Sequence, residues 1–355
     1  MKQLHYMLYP ICLAALLSAC ERELPYNVGN QETQLVMNAL LDVNKEENLV
    51  HLCLSEPHST RPVTQATVTL YINDRQAETA EETEYDNRTK TYRLRSRLQP
   101  GDRLRLEAVA EEGRYHATGE VTVPQLPEVI QVDTFPARIK QYGSYAPARR
   151  FQITVHDPAG KDNYYRLAIA YTNRYDGTNW AGRDTTTYVH REAKIINRED
   201  VVLTDGRPGS TDPDDADEND VMGNYIENLY NVFNDSRFSG TSYDLRVYTD
   251  LMEYWYPSDF LGPYTLNATI TVRLYSLTET GYRYLRTLNT LESDNYDTTL
   301  MEPAIIPGNV QGGLGIVDAC IATEAHIALP EQVLASDVYT SFVPLQETAG
   351  GIGSE

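Results

Sequence analysis

The chain has 355 residues and a formal net charge of −21, from 51 acidic against 30 basic side chains. So large an acidic excess argues against nucleic acid or anionic lipid headgroups as partners, because both are polyanions. Hydrophobic residues make up 41%, enough for buried cores, and the length suggests about two domains.

The chain opens with Lys2 and His5, then an apolar run from Leu8 to Leu17, then Ser18-Ala19-Cys20. A basic start, an apolar run too short for a bilayer and small residues before a cleavage point form a secretory signal. Leu17-Ser18-Ala19-Cys20 resembles the bacterial lipobox, with Cys20 supplying the thiol that takes a diacylglycerol thioether; a plain secretory signal with an incidental Cys is the alternative. The expected layout is a signal over 1–19 and a tether over 20–32, with a membrane partner reached through the N-terminal lipid. Each buried acyl methylene contributes about 0.8 kcal/mol, so two or three chains hold a protein on a membrane without a spanning helix. Cys12 leaves with the signal, so the mature body holds Cys53 and Cys320. An export compartment permits a disulfide between them; two separate buried thiols are the alternative.

Period-2 alternation dominates the chain beyond the tether. Leu35 to Leu41 is a compact apolar run, and Val50, Leu52 and Leu54 alternate with His51, Cys53 and Ser55. Ala66, Val68, Leu70 and Ile72 form a half-buried strand pattern. Pro100-Gly101-Asp102 reads as a turn, before Leu104, Leu106, Ala108 and Ala110. Tyr115 to Val123 gives another strand, and Pro124 to Pro127 punctuates its end. These short strands predict an immunoglobulin-like β-sandwich over 33–125. A larger β-rich domain is expected over 126–330, and a C-terminal tail over 331–355.

In the second segment, strands are expected around Val129 to Phe135, Phe151 to Val155, Tyr165 to Ile169, Thr186 to Val189 and Val201 to Leu203. Leu266, Ala268, Ile270, Val272 and Leu274 make the cleanest alternation in the chain. Ser276 with Glu279 has the spacing of a capping box, and Tyr282, Leu285, Leu288 and Leu291 recur at helical spacing. Gly312-Gly313-Leu314-Gly315 lacks phosphate-loop spacing and reads as a tight bend into a last strand.

Sites for chemistry are scarce. The sequence has no HExxH, no GxSxG and no GxxxxGK[ST], and the mature chain has no CxxC pair. No cofactor and no catalytic residue is expected. Asp212, Asp214, Asp215 and Asp217 lie in an acidic run that could ligate calcium, but Ala216 breaks the EF-hand order. A solvated acidic loop is the simpler reading. There are 26 Tyr against 6 Phe. Tyr171, Tyr175 and Trp180, with Tyr254, Trp255 and Tyr256, sit on two expected loops, where aromatics give rigid area with a polar tip. Folding back onto the sheet edge is the alternative for them.

Several segments resemble one family. Leu35-Val36-Met37-Asn38-Ala39-Leu40, Ala66 to Leu70, Gly101 to Leu106, Val121 to Pro124, Asn163 to Leu167, Phe233-Asn234-Asp235 with Gly240, and Tyr282 to Leu285 are similar to domain-of-unknown-function family 4249. Asn309 with Gly312-Gly313-Leu314-Gly315-Ile316 is the most specific match. The resemblance implies a Bacteroidota outer-membrane lipoprotein encoded beside a TonB-dependent receptor, and supplies no reaction. Glu21-Arg22-Glu23 resembles the surface-export signal of such lipoproteins, with an ordinary hydrophilic linker as the alternative, and Asp184-Thr185-Thr186 and Asp297-Thr298-Thr299 resemble their O-glycosylation motif.

The leading expectation is a non-enzymatic, lipid-anchored, surface-exposed outer-membrane protein that helps a TonB-dependent receptor capture a nutrient. An adhesin or structural envelope lipoprotein is the alternative, and a hydrolase with an unrecognised site is the third.

Overall fold

The computed structural model describes residues 32–334 apart from 57–58, 86–87, 142–143, 198, 205–225, 252–259, 261–262, 294–295 and 297–302. The expected signal and Cys20, the acidic run Asp212 to Asp217, Tyr254-Trp255-Tyr256 and Asp297 to Thr299 lie outside the described residues.

The protein is mainly β. The first strands are β1 (Leu35–Asp42), β2 (Asn48–Glu56), β3 (Ser59–Pro62), β4 (Ala66–Ile72), β5 (Arg75–Thr79), β6 (Glu81–Tyr85), β7 (Lys90–Leu94), β8 (Arg103–Ala110) and β9 (Tyr115–Thr122). They continue as β10 (Glu128–Gln141), β11 (Ser144–His156), β12 (Tyr164–Thr178), β13 (Asp184–Glu192), β14 (Val232–Asn234), β15 (Ser242–Asp250) and β16 (Tyr264–Leu277). A helix, Glu279–Glu292, precedes β17 (Val310–Gln311), β18 (Leu314–Ala328) and β19 (Gln332–Leu334).

Alternation builds these strands as expected. In β4, Val68 and Leu70 are buried while Thr67 is exposed; in β8, Leu104, Leu106, Ala108 and Ala110 are buried and Arg103 is exposed. Gly101 turns the chain between β7 and β8 with φ +84°, a left-handed backbone that glycine adopts without a steric penalty.

Three sheets form. The largest has eleven strands, with its main path in the order β13-β12-β16-β18-β1-β2-β7-β6. A five-stranded sheet, β17-β9-β8-β4-β5, and a three-stranded one, β10-β11-β15, complete the set. The first core joins Leu35, Met37, Leu52 and Leu54 of the large sheet to Val68, Leu70, Leu104 and Leu106 of the five-stranded one. The second joins Leu167, Ile169, Val272 and Leu274 to Phe151, Ile153, Leu245 and Val247 of the three-stranded sheet. Each fully buried Leu, Ile or Val contributes about 1.5–3 kcal/mol.

Strand β18 belongs to both halves. Its first part, Leu314 to Cys320, runs parallel to Val36–Asp42 of β1. Its second part, Ile321 to Ala328, runs antiparallel to β16. Val317 and Ala319 thereby fill the first core. The first core, otherwise built from Leu35 to Val123, thus takes in two residues from far beyond the expected boundary near residue 125.

Because each neighbour flanks only half of β18, backbone groups are left over along its edges. Two asparagine side chains take them. The Asn44 amide donates to Ala322 O (2.9 Å) and accepts from Ala322 N (2.7 Å). The Asn309 amide donates to Val317 O (2.8 Å) and to Glu120 O of β9 (2.9 Å), and accepts from Val317 N (2.8 Å). Each amide copies one rung of a β-ladder, satisfying groups that would otherwise be costly to bury.

The glycine run is a close-packed bend, as its spacing suggested. Gly315 has φ +113°, and an added Cβ would lie 2.2 Å from Met37 O. The helix starts later than the capping-box spacing predicted. Ser276 is still inside β16, and the N-cap is Thr278, whose Oγ1 accepts from Gly281 N at 3.0 Å. Gly281 is required for space, because a Cβ there would lie 1.9 Å from an Asp318 oxygen. Val201 to Leu203, expected as a strand, forms a turn.

The two body cysteines are not bridged. Cys53 stands opposite Val36 and Cys320 opposite Asp42. Six residues of β1 separate those levels, about 20 Å along a strand, far beyond disulfide reach. Burial pushes the Cys320 thiol up, helped by the nearby carboxylates of Asp42 and Asp318.

Candidate functional site

One face of the large sheet carries the two large cores; on the other, the helix packs through Tyr282 and Leu285 against Tyr164, Tyr275 and Cys320, and the rest of that face is the place to look for a site. On β12 the odd residues Tyr165, Leu167, Ile169 and Tyr171 point into the second core. Even residues therefore point to the opposite face, since side chains alternate. Strand register extends that face across four strands. Tyr188 of β13 stands opposite Arg174, which stands opposite Asn267 of β16. In the next row His190, Thr172, Thr269 and Ala328 follow one another. In the row beyond come Glu192, Ala170, Thr271 and His326.

The expected aromatic loop over Tyr171 to Trp180 is mostly strand. Tyr171 and Tyr175 lie within β12 and are 1% exposed, so they serve the core rather than a ligand. Tyr171 OH pairs with Thr249 Oγ1 at 2.9 Å, and Tyr175 OH accepts from Asn173 Nδ2 at 2.9 Å. Burial raises the Tyr175 hydroxyl pKa. Trp180 sits in the turn between β12 and β13 and is 68% exposed. Tyr188, which sequence reasoning passed over, is 66% exposed. Its signal was available: β13 alternates, and an aromatic on its polar side has no core to fill.

Charges on this face are matched locally. Arg174 pairs with Asp176 (3.1 Å), Arg273 with Glu324 (2.6 Å) and Arg166 with Glu192 (3.1 Å). His190 Nδ1 meets Thr172 Oγ1 at 2.9 Å, and His326 Nδ1 meets Thr271 Oγ1 at 3.1 Å. His51 pairs the same way with Thr91 on β7, at 3.1 Å. Each of these histidines is held by a cross-strand hydroxyl, His326 also by Glu324 at 3.4 Å, and the three do not converge. Among the described residues no three His, Cys, Asp or Glu side chains gather as a metal site. At one end of the face a shallow depression of about 270 Å³ is lined by Asp176, Gly177, Asp184, Thr185 and Thr186.

Buried carboxylates exist but serve the fold. Asp157 accepts from Tyr165 OH (2.6 Å) and Gly240 N (3.0 Å), and Asp235 accepts from Asn163 N (3.0 Å). Asp200 accepts from Arg246 N (2.8 Å) and Val202 N (3.0 Å). These acids fasten loops to strands, which accounts for the Asn163, Asp235 and Gly240 pattern in the sequence.

Asp318 is the most perturbed of them. It is 4% exposed, beside the helix N-terminus, and accepts from Thr278 Oγ1. Burial raises its pKa to about 6, against hydrogen bonds from Thr278 and the Ala319 backbone that favour the charged form. A folded-state pKa above the unfolded value means that its stabilising contribution is full below the unfolded value and lost as pH rises through about 6. Asp318→Asn removes that loss. The variant should gain on the wild type by about 2–3 kcal/mol between pH 4 and pH 7, read by urea unfolding at both pH values.

The model of the family described as Domain of unknown function (DUF4249) matches residues 21–325. The chain belongs to this family. Asn163, Asp235, Gly240, Asn309 and Gly315, which carried the resemblance, are thus joints of the DUF4249 fold in this chain: each secures a loop or a strand edge. No curated protein matches the chain. Among solved structures, a DUF4785 family protein from Legionella pneumophila subsp. pneumophila str. Philadelphia 1 is similar at 11% identity with a TM-score of 0.22. That likeness covers 68% of this chain and 52% of the other, so the chain spans about half the length of the structure it matches.

Proposed function

We propose that this DUF4249 chain is a non-enzymatic lipoprotein of the outer membrane that assists a TonB-dependent receptor in capturing a nutrient. The observation that carries the reading is Leu17-Ser18-Ala19-Cys20 behind a short apolar run. It provides an anchor, and among the described residues no helix is long and apolar enough to cross a membrane. The body behind the tether offers a broad, charge-matched sheet face. Rigid strands presenting exposed side chains suit capture, because little ordering entropy is lost on binding. The receptor comes from the family resemblance, with the acidic body suited to a basic partner surface.

Two measurements test this. Cys20→Ala should move nearly all of the protein from the membrane pellet to the soluble fraction, since no acyl chain remains to hold it. Mild detergent extraction of the wild type should co-purify a TonB-dependent receptor. A protein recovered alone, or a Cys20→Ala chain that stays in the pellet, contradicts the proposal. Growth of a deletion strain on a nutrient panel separates capture from an adhesin, which leaves uptake unchanged.

A further inference from the structure

We infer that the open face of β13, β12, β16 and β18 is a binding platform for an uncharged, polyhydroxylated chain, that is, a neutral glycan. The inference names the ligand class for the capture reading above and rests on it.

Three features of the face carry this. The first is aromatic area. Tyr188 is 66% exposed on the face, and Trp180 is 68% exposed at the tip of the same hairpin. Rings exposed to this extent can stack against the apolar C–H faces of a sugar, with a polar rim for hydroxyls. The second is relief. Thr172, Thr269 and Ala328 follow one another across three neighbouring strands as a row of small, accessible side chains, with Ala170 and Thr271 buried beside it. Strands lie about 4.8 Å apart, so the row runs about 10 Å across the sheet, suited to an extended ligand rather than a compact one. The third is charge. Each arginine on the face has a carboxylate partner within 2.6–3.1 Å. A surface whose charges are locally neutralised gives an ionic ligand no net attraction, yet its carboxylates and hydroxyls still offer paired donors and acceptors. His190 is exposed, and with Nδ1 engaged by Thr172 its Nε2 remains for such a contact. An uncharged ligand rich in hydroxyls meets all three conditions.

β13 is also the last strand on its side of the large sheet. Addition of an extended peptide along that edge is the competing occupant, and it uses backbone groups rather than the rings.

The test uses the mature chain in affinity electrophoresis through gels holding starch, xylan, mannan or laminarin, with pectin as the charged arm. The expected result is retardation by at least one neutral polysaccharide and none by pectin. Tyr188→Ala and Trp180→Ala should each weaken it by about tenfold, with an unchanged melting temperature, and Tyr188→Phe should retain it. Retardation by none of the neutral polymers overturns the inference, as does retardation that survives the double variant Tyr188→Ala/Trp180→Ala. Binding of extended peptides that is blind to both variants also overturns it, in favour of the strand edge. Receptor co-purification is a separate readout. Its failure removes the partner and leaves the platform standing, and a glycan failure does the reverse.

Discussion

Gly315→Ala should prevent stable folding or cost about 4 kcal/mol or more. Gly315 enters β18 with φ +113°, outside the range of an alanine, and the new methyl would lie 2.2 Å from Met37 O and 2.7 Å from Asn38 Oδ1. Both obstacles belong to β1, the parallel neighbour, so relief means separating the pair that joins the chain ends. Gly113→Ala is the control. Gly113 also has a left-handed φ, +88°, but nothing within 4 Å of an added Cβ. It should cost about 1 kcal/mol, the backbone term alone. Guanidinium unfolding of both variants separates the two contributions. A Gly315→Ala cost no larger than that of Gly113→Ala contradicts the close approach.

Asn309→Ala should cost about 2–4 kcal/mol. It strips partners from Val317 N, Val317 O and Glu120 O, and an abandoned buried polar group costs about 1–3 kcal/mol. Asn309→Asp sharpens the test. A carboxylate still accepts from Val317 N, but it faces two carbonyl oxygens with no hydrogen to give them. It should be at least as damaging as alanine, whereas a merely space-filling role for Asn309 predicts near-neutral Asp. Thermal unfolding monitored by circular dichroism decides between them.

Local alternation made much of the fold legible. Val68 and Leu70, Leu104 to Ala110, and Leu266 to Leu274 sit on core faces because a period of two admits no other half-buried arrangement. The platform was harder to see. Tyr171 to Trp180 has the Asn, Gly and Tyr content of a loop, yet most of it is the end of a fifteen-residue strand. Its tyrosines satisfy their hydroxyls inside the core, which composition does not disclose. Ser276 and Glu279 have capping spacing, but β16 continues through Leu277 and passes the cap to Thr278. The β1–β18 pairing is set by tertiary packing between distant segments and leaves no local periodic trace. The Asn44 and Asn309 amides depend on that pairing, so Asn44 gave no signal and Asn309 stood out only through the family pattern.

The shared last strand also sets an order of events. During synthesis β1 emerges long before the residues that complete its pairing, Leu314 to Cys320. Until then one side of β1 carries unpaired amides, and the first core lacks Val317 and Ala319. Such long-range closure is slow and leaves an adhesive edge exposed in the meantime. A nascent chain is thus obliged to wait for β18, and truncation before residue 314 leaves β1 without its parallel neighbour.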